Sequence, residues 1–429
     1  MLFICALLVS IPSSALAVPR NALRFVDGSF DTPLIAASES EVLHAEFKKR
    51  FFAPWNRNLP SITPARSLWA WEEWKDATPW GENLRPHSKQ WMEGLLVNCS
   101  MEEWGSLNRK AAACVETDLR ALPTDRPFYR DPSLAGEGFP FDYLQNSRVK
   151  AGEPLLVGHL SADKAWAFVE TGYAAGWVDT RDIGFAEDAL AKRWETLPQA
   201  FVIDDGVAVR DLIGLFRFKA RIGTVLPLMA GGLSSGYLTV GIPVRDIGGN
   251  VVLKEARLPA DQASHVPLML TQWNIATLMN RMLGTPYGWG DSLGNRDCSG
   301  TVRDLFAVFG IWLPRNSAAQ ARAYPFVAFE GGSGEEKEKR LISEAVPFTT
   351  LLRVPGHIMV YLGTFRGEPC VFHSIWGIRT VRKGIEGRRV IGAAVITSLR
   401  PGEGVEGFDL SRGDLADRLE GMTFITDPR

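Results

Sequence analysis

The sequence predicts a multidomain protein in which an irregular, mostly helical segment and two small β-barrels precede an α+β domain. Three observations carry that prediction. Seven of the fourteen tryptophans crowd into the first quarter of the chain, short strand-like stretches between turns fill its middle, and helical periodicity gives way to strict alternation in its last third. At 429 residues, 46% hydrophobic and 22% charged, the chain has the composition of several globular domains rather than of disorder. A net charge of -2 without any long basic stripe removes nucleic acid from the expected partners, because phosphates demand clustered Lys and Arg.

The opening stretch MLFICALLVSIPSSALAVPR is a short apolar run that ends in Ala15-Leu16-Ala17, the small-x-small pattern of a cleavage site. Residues 1–17 are therefore expected to be a signal peptide, although no basic residue precedes the run. Cys5 lies in the middle of that run, which argues against a lipid anchor, and no other stretch reaches transmembrane length. The expectation is a periplasmic or secreted, cell-wall associated protein with no integral membrane segment in the mature chain.

Residues 28–113 hold Trp55, Trp69, Trp71, Trp74, Trp80, Trp91 and Trp104 between prolines and irregular apolar stretches. Large aromatics at this density are expected to seal a packed surface, and the segment reads as a wrapping element. Over 114–185 the runs EPLLVGHL, AWAFVET and WVDTRDI alternate with turns, and over 186–259 GVAVRDL, LFRFKARIGTVLPLMA, GYLTVGIPVRDIGGN and VVLKEARLP repeat that texture. Each set predicts one small barrel.

Residues 260–400 change character. Ile275, Leu278, Met279 and Met282 have the spacing of one helix face, and Gly284 and Pro286 follow as stop signals. After PYGWGDSLGNRDCSG, the spacing recurs at Val302, Leu305, Phe306 and Phe309 and ends at Gly310, so Cys298 falls at or just before the first turn of a second helix. Unpaired amides and the positive end of the helix dipole favour thiolate there and can also serve an oxyanion. Residues 401–429 read as a C-terminal tail, and EGGSGEEKEKR, Glu330 to Arg340, as a solvated charged loop.

A thiolate nucleophile needs a base, and the base needs a residue that orients it. His44, His87, His159 and His265 lack any partner pattern. In HIMVYLG the alternation sets His357, Met359 and Tyr361 on one face and Ile358, Val360 and Leu362 on the other. A hairpin folded about Phe365 sets His357 across from His373 in the second strand, CVFHSI. Without CxxC or HxxxH spacing, no metal site is expected. Cys370 is expected to be packed; whether Cys99 and Cys114 pair is left open by their spacing.

The blocks TPYGWGDSLGNRDCSGTVRDLFAVFGIWLPRNSAAQA, VPGHIMVYLG and VFHSIWG together resemble the NlpC/p60 family of cell-wall cysteine peptidases. The upstream text RALPTDRPF, FPFDYLQNSRVKAGEPLLVGHLSADKAWAFVETGYAAGWV resembles the bacterial SH3-like domains joined to one branch of that family. The resemblance implies a papain-like α+β catalytic domain behind two SH3-like β-barrels. It also implies a thiol protease that cuts peptidoglycan stem peptides between γ-D-glutamate and an L-diamino acid, without a cofactor. Cys298 would be the nucleophile, His357 the general base and His373 its orienting partner. Tyr287 would line the site beside the oxyanion. Asp297 and Ser299 would meet the free α-amine of an N-terminal L-alanine, and Tyr143 of the first barrel would close that end of the cleft. From its residue type and place, Asp297 reads equally well as a helix cap. The expected partners are peptidoglycan-derived peptides, met by a monomer. Amidase or acyltransferase chemistry on the same residues, or a non-catalytic wall-binding protein, are the alternatives.

Overall fold

The computed structural model describes residues 18–426. The expected signal peptide over 1–17 lies outside the described residues. Helices α1 (Ala37–Phe51) and α2 (Lys89–Asn98) are joined by short helical turns. Between and beyond them the tryptophans pack against the first β-sheet. Trp55 Nε1 donates to Ala111 O at 2.8 Å, Trp74 meets Phe128 and Tyr143, and Trp104 lies against Phe168. The segment wraps as expected, since indoles seal an apolar surface while still reaching a backbone acceptor.

That sheet contains β1 (Arg109–Ala113), β2 (Thr117–Arg120), β3 (Gln145–Val149), β4 (Pro154–Leu160), β5 (Trp166–Glu170), β6 (Ala175–Asp179) and β7 (Ile183–Phe185), in the order β3-β2-β6-β5-β4-β1-β7. Helix α3 (Asp188–Thr196) leads into β8 (Gln199–Val202), the pair β9 (Val207–Arg210) and β10 (Phe216–Ala220), then β11 (Val225–Ser234), β12 (Tyr237–Arg245), β13 (Val251–Pro259) and β14 (Ala263–Ser264). Here the order is β13-β12-β11-β8-β14, with β9 and β10 as a separate ribbon. Both SH3-like sheets are thus open where the sequence predicted barrels. The terminal strands of the first sheet meet neighbouring domains instead of each other, β3 through a side-chain amide and β7 through its backbone. At β3, Gln145 Nε2 donates to Gly290 O at 3.1 Å, and at β7, Phe185 N donates to Gly249 O at 2.9 Å.

The last domain begins with α4 (Gln272–Met282) and α5 (Cys298–Ala307) and continues through β15 (Phe326–Ala328), α6 (Gly334–Glu344), β16 (Thr350–Val354), β17 (His357–Phe365), β18 (Glu368–Arg382), β19 (Ile385–Ser398), α7 (Leu415–Arg418) and β20 (Gly421–Phe424). Its sheet runs β15-β20-β16-β17-β18-β19. Two expectations fail here. The segment predicted as a tail supplies β20, which pairs with β15 and β16 in the interior of the sheet. The charged loop is helix α6, started by a capping box between Ser333 and Glu336 and docked through Lys337 Nζ, which donates to Asp417 O and Leu419 O. Its charges pair along the helix, as in Glu335 with Lys339, so the charged stretch is the solvated face of a helix.

Every residue of α5 is buried. One side packs on the sheet, where Val302, Leu305 and Phe306 meet Ile358, Val360 and Phe372. Polar Arg303 and Asp304 are covered by the upstream domains. Asp304, fully buried, receives Lys150 Nζ, just after β3, at 2.5 Å and Arg296 Nε at 2.8 Å, with Arg221, just after the β9–β10 ribbon, at 3.6 Å. Burial pushes the Asp304 carboxyl up, and the surrounding cations outweigh it and hold the group well below the usual range. Removing one partner would strand buried charge, so this network pins both SH3-like sheets to the helix that carries Cys298.

Candidate active site

Asp297 is the N-cap of α5, its Oδ1 accepting the Gly300 N–H at 2.7 Å, and Cys298 is the first helical residue. Gly300 of the CSG motif has a specific steric role. A Cβ there would stand 2.0 Å from Asp291 Oδ1, so only glycine admits the Asp291 carboxyl against the helix start. Asp291 in turn accepts the Asp297 N–H at 3.1 Å.

The thiol does not show the electrostatics expected from a helix terminus. Burial pushes Cys298 up to about 12, the Asp297 carboxylate adds to the rise, and the Ile358 and Ser299 amides and Arg315 oppose it without winning. The resting nucleophile is therefore the neutral thiol. His357 matches it: burial, with Arg418 adding to the effect, brings its imidazole down to about 4. A neutral thiol faces a neutral base. Among the described residues no hydrogen bond joins the Cys298 thiol to the His357 ring, and such contacts tighten when substrate excludes water.

The hairpin forms with a shifted register. It turns at Arg366-Gly367, both at positive φ, instead of at Phe365, and a bulge between Tyr361 and Gly363 leaves Val360 opposite Phe372. His357 and His373 are hence diagonal rather than directly opposed. The displacement is an even number of residues, which preserves the face, and the rings meet with His357 Nε2 2.8 Å from His373 Nδ1. His373 is fully buried, and its other nitrogen lies 3.1 Å from Thr397 Oγ1.

This chain of contacts assigns every proton. Thr397 Oγ1 donates to Ser398 O at 2.7 Å, so towards His373 it accepts. His373 Nε2 then carries the proton and Nδ1 is the acceptor. The contact with His357 in consequence requires the proton on His357 Nε2, which leaves a lone pair on Nδ1 for the thiol proton. Thr397 escaped the sequence reading because nothing local marks it; only the pairing of His373 with Val395 on β19 brings the two strands into reach.

Of the other expected residues, Tyr287, Asp297 and Ser299 lie at this site. Burial, with Cys298 and Asp297 adding, raises the Tyr287 phenol well above its ordinary value, so it stays an O–H donor beside the thiol. Asp297 accepts from Ser299 Oγ at 2.9 Å and takes a two-pronged contact from Arg315, Nη1 at 3.1 Å and Nη2 at 2.8 Å. It is thus a helix cap and an ion-pair partner, with Oδ2 holding one contact, from Arg315, and a lone pair to spare. Arg315 also faces Asp291 at 3.2 Å, so two carboxyls share one guanidinium and burial raises the pKa of Asp291. Tyr143 stands one step back. Its hydroxyl donates to Glu137 at 2.8 Å and its ring meets Trp289, while Phe141 is the residue of the first domain that touches Tyr287 and Trp376. Phe141, Trp289, Trp376, Asp291 and Arg315 were not singled out from sequence, although all five lie in the quoted blocks. Cys99, Cys114 and Cys370 are buried free thiols, raised to about 12 by burial.

Four family models match successive parts of the chain: an N-terminal NLPC_P60 stabilising domain at residues 11–104, an SH3 domain of SH3b1 type at 127–179, an SH3 domain of SH3b2 type at 187–231, and the NlpC/P60 family at 284–383. No curated protein matches the chain. Among solved structures, an NlpC/P60 endopeptidase from Photobacterium damselae subsp. piscicida superposes with a TM-score of 0.85 at 24% identity, over 98% of this chain and 100% of that one. An NlpC/P60 family protein from Bacillus cereus aligns at 16% identity over 73% of this chain and 98% of that one, with a TM-score of 0.47. Residues 284–383, enclosing Cys298, His357 and His373, thus form an NlpC/P60 family domain, set behind the matched stabilising domain and two SH3b domains.

Proposed function

We propose that this protein is an exported, cell-wall associated and monomeric endopeptidase. It hydrolyses peptidoglycan stem peptides between γ-D-glutamate and an L-diamino acid, on small muropeptides with a free N-terminal L-alanine. The observation that carries the reading is the proton-ordered chain Thr397–His373–His357 beside the buried thiol at the start of α5. In the reaction, Nδ1 of His357 takes the Cys298 proton as the sulfur attacks the γ-glutamyl carbonyl carbon. The oxyanion gains the Tyr287 O–H and the Cys298 amide as donors. His357 returns the proton to the departing amine, the C–N bond breaks, and water then cleaves the thioester by the same proton route.

Proton transfer during attack suits a thiol raised to about 12 and an imidazole lowered to about 4, since charge separates only as the new bond forms. The preference for a free amine is supported by Asp297 and Asp291 sharing Arg315, because an ammonium at Asp297 Oδ2 would relieve two carboxyls in a buried site. The aromatic wall of Phe141, Trp289 and Trp376 favours short peptides over intact strands. Digestion of defined muropeptides with mass readout tests the bond and the end-group together. Products other than L-Ala-γ-D-Glu, or ready release from intact sacculi, would overturn the assignment.

A further inference from the structure

On the other flank of His357 lies an open cavity of about 220 Å³ that the reaction described above does not use. Its walls come from Ile375 of β18, from Arg379 and Arg388 on the far arms of the β18–β19 hairpin, and from Arg412, Asp414 and Arg418 of the C-terminal segment. Four guanidiniums therefore face one carboxyl. Arg379 and Arg388 are committed, both to Glu386 at 2.7 and 2.6 Å and Arg379 also to Asp409 at 3.1 Å. Asp414 is committed as well, accepting the Gly402 N–H at 2.9 Å. Among the described residues no carboxylate lies at ion-pairing distance from Arg412 or Arg418. Burial lowers Arg418, and the nearby charge of Arg412 adds to that effect. An anion between them would remove that repulsion.

The cavity adjoins the catalytic histidines. Arg418 Nη2 donates to Pro355 O at 3.4 Å, two residues before His357, and Ile375 follows His373 by two residues along β18. Its neighbour Trp376 turns the opposite way, onto Tyr287 and Phe141, so the strand separates the aromatic wall from the arginines. Because His357 must protonate the leaving nitrogen, groups flanking His357 away from Tyr287 and Asp297 face the leaving residue.

We infer that this cavity is the subsite for the leaving residue, and that Arg412 and Arg418 read a side-chain carboxylate there, selecting a diamino acid that carries a second acid group over lysine. Guanidinium forks match carboxylates in plane and in charge, and a carbonyl or methylene in the same place leaves both cations unpaired. The inference rests on the γ-D-glutamyl reading above.

The test compares L-Ala-γ-D-Glu-X tripeptides in which X is 2,6-diaminopimelic acid, the same residue amidated at its distal carboxylate, or lysine. The full chain should favour the free dicarboxylate by about tenfold or more in kcat/KM, and Arg412→Gln and Arg418→Gln should each drive that ratio towards one. Arg412→Lys, which keeps the charge and loses the fork, should fall between. A ratio near one in the parent protein, or one that survives both glutamine variants, overturns the inference while leaving the bond assignment intact. If no tripeptide is cut, the bond assignment fails, and calorimetry decides the cavity separately. Binding of free diaminopimelic acid to the parent that disappears in both variants supports the site, and absence of binding overturns it.

Discussion

Replacing Thr397 by valine keeps the shape of a side chain that is only 8% exposed and removes the acceptor of the His373 Nε2 proton. His373 is fully buried, so the orphaned N–H has no water to turn to, and the cost is about 1–3 kcal/mol. The ring escapes that cost by moving its proton to Nδ1. His373 then donates to His357 Nε2, and His357 must carry its own proton on Nδ1, where it meets the thiol with an N–H instead of a lone pair. Returning both rings to the working tautomer for the reaction costs that ~1–3 kcal/mol, so kcat/KM should fall by about 5- to 150-fold. The assay is steady-state cleavage of L-Ala-γ-D-Glu-diaminopimelate, with imidazole ¹⁵N shifts reporting the tautomers directly. Thr397→Ser should restore most of the rate. A Thr397→Val protein with kcat/KM within twofold of the parent, or a serine variant as slow as the valine one, would refute the proton assignment.

Cys298→Ala should abolish turnover while leaving the fold intact, and alkylation of Cys298 by iodoacetamide should keep accelerating above pH 8, because its thiol stands at about 12; a rate plateau below pH 7 would contradict that electrostatic picture. His357 folds neutral at about 4 against an ordinary 6.5, so its contribution to stability is complete above pH 6.5 and is lost as pH falls towards 4; urea titrations should show a shallower decline over that window in His357→Gln than in the parent. Asp297→Asn should cost about 2–4 kcal/mol in kcat/KM for a free-amine substrate and much less for its N-acetyl analogue, the two losses overlapping in a cycle rather than adding. Full additivity would reduce Asp297 to a cap and a partner for Arg315. Asp304→Asn should lower Tm by several degrees, since it takes from buried Lys150 its close carboxylate and leaves Arg296 only Asp205; an unchanged Tm would show that the domains are not docked through this residue.

Local physics made much of this protein legible in its sequence. The apolar spacing of α4 and α5, the stop at Gly284, the cap at Asp297 and the alternation of β17 all depend on residues within a turn or a strand of one another, and each is found where the pattern set it. Even the slipped hairpin left His357 and His373 in contact, because an even register shift preserves the face. What only the tertiary structure decided is non-local. Strand β20 enters the sheet from beyond residue 420, Asp304 is neutralised by cations from three segments, and Thr397 reaches His373 across a strand pair. The cavity of arginines draws on β18, β19 and the C-terminal segment, which only the folded sheet brings together. Burial also reversed one inference from local structure: a helix terminus favours thiolate in water, but enclosure beside Asp297 outweighs the dipole and leaves Cys298 a neutral thiol until substrate arrives.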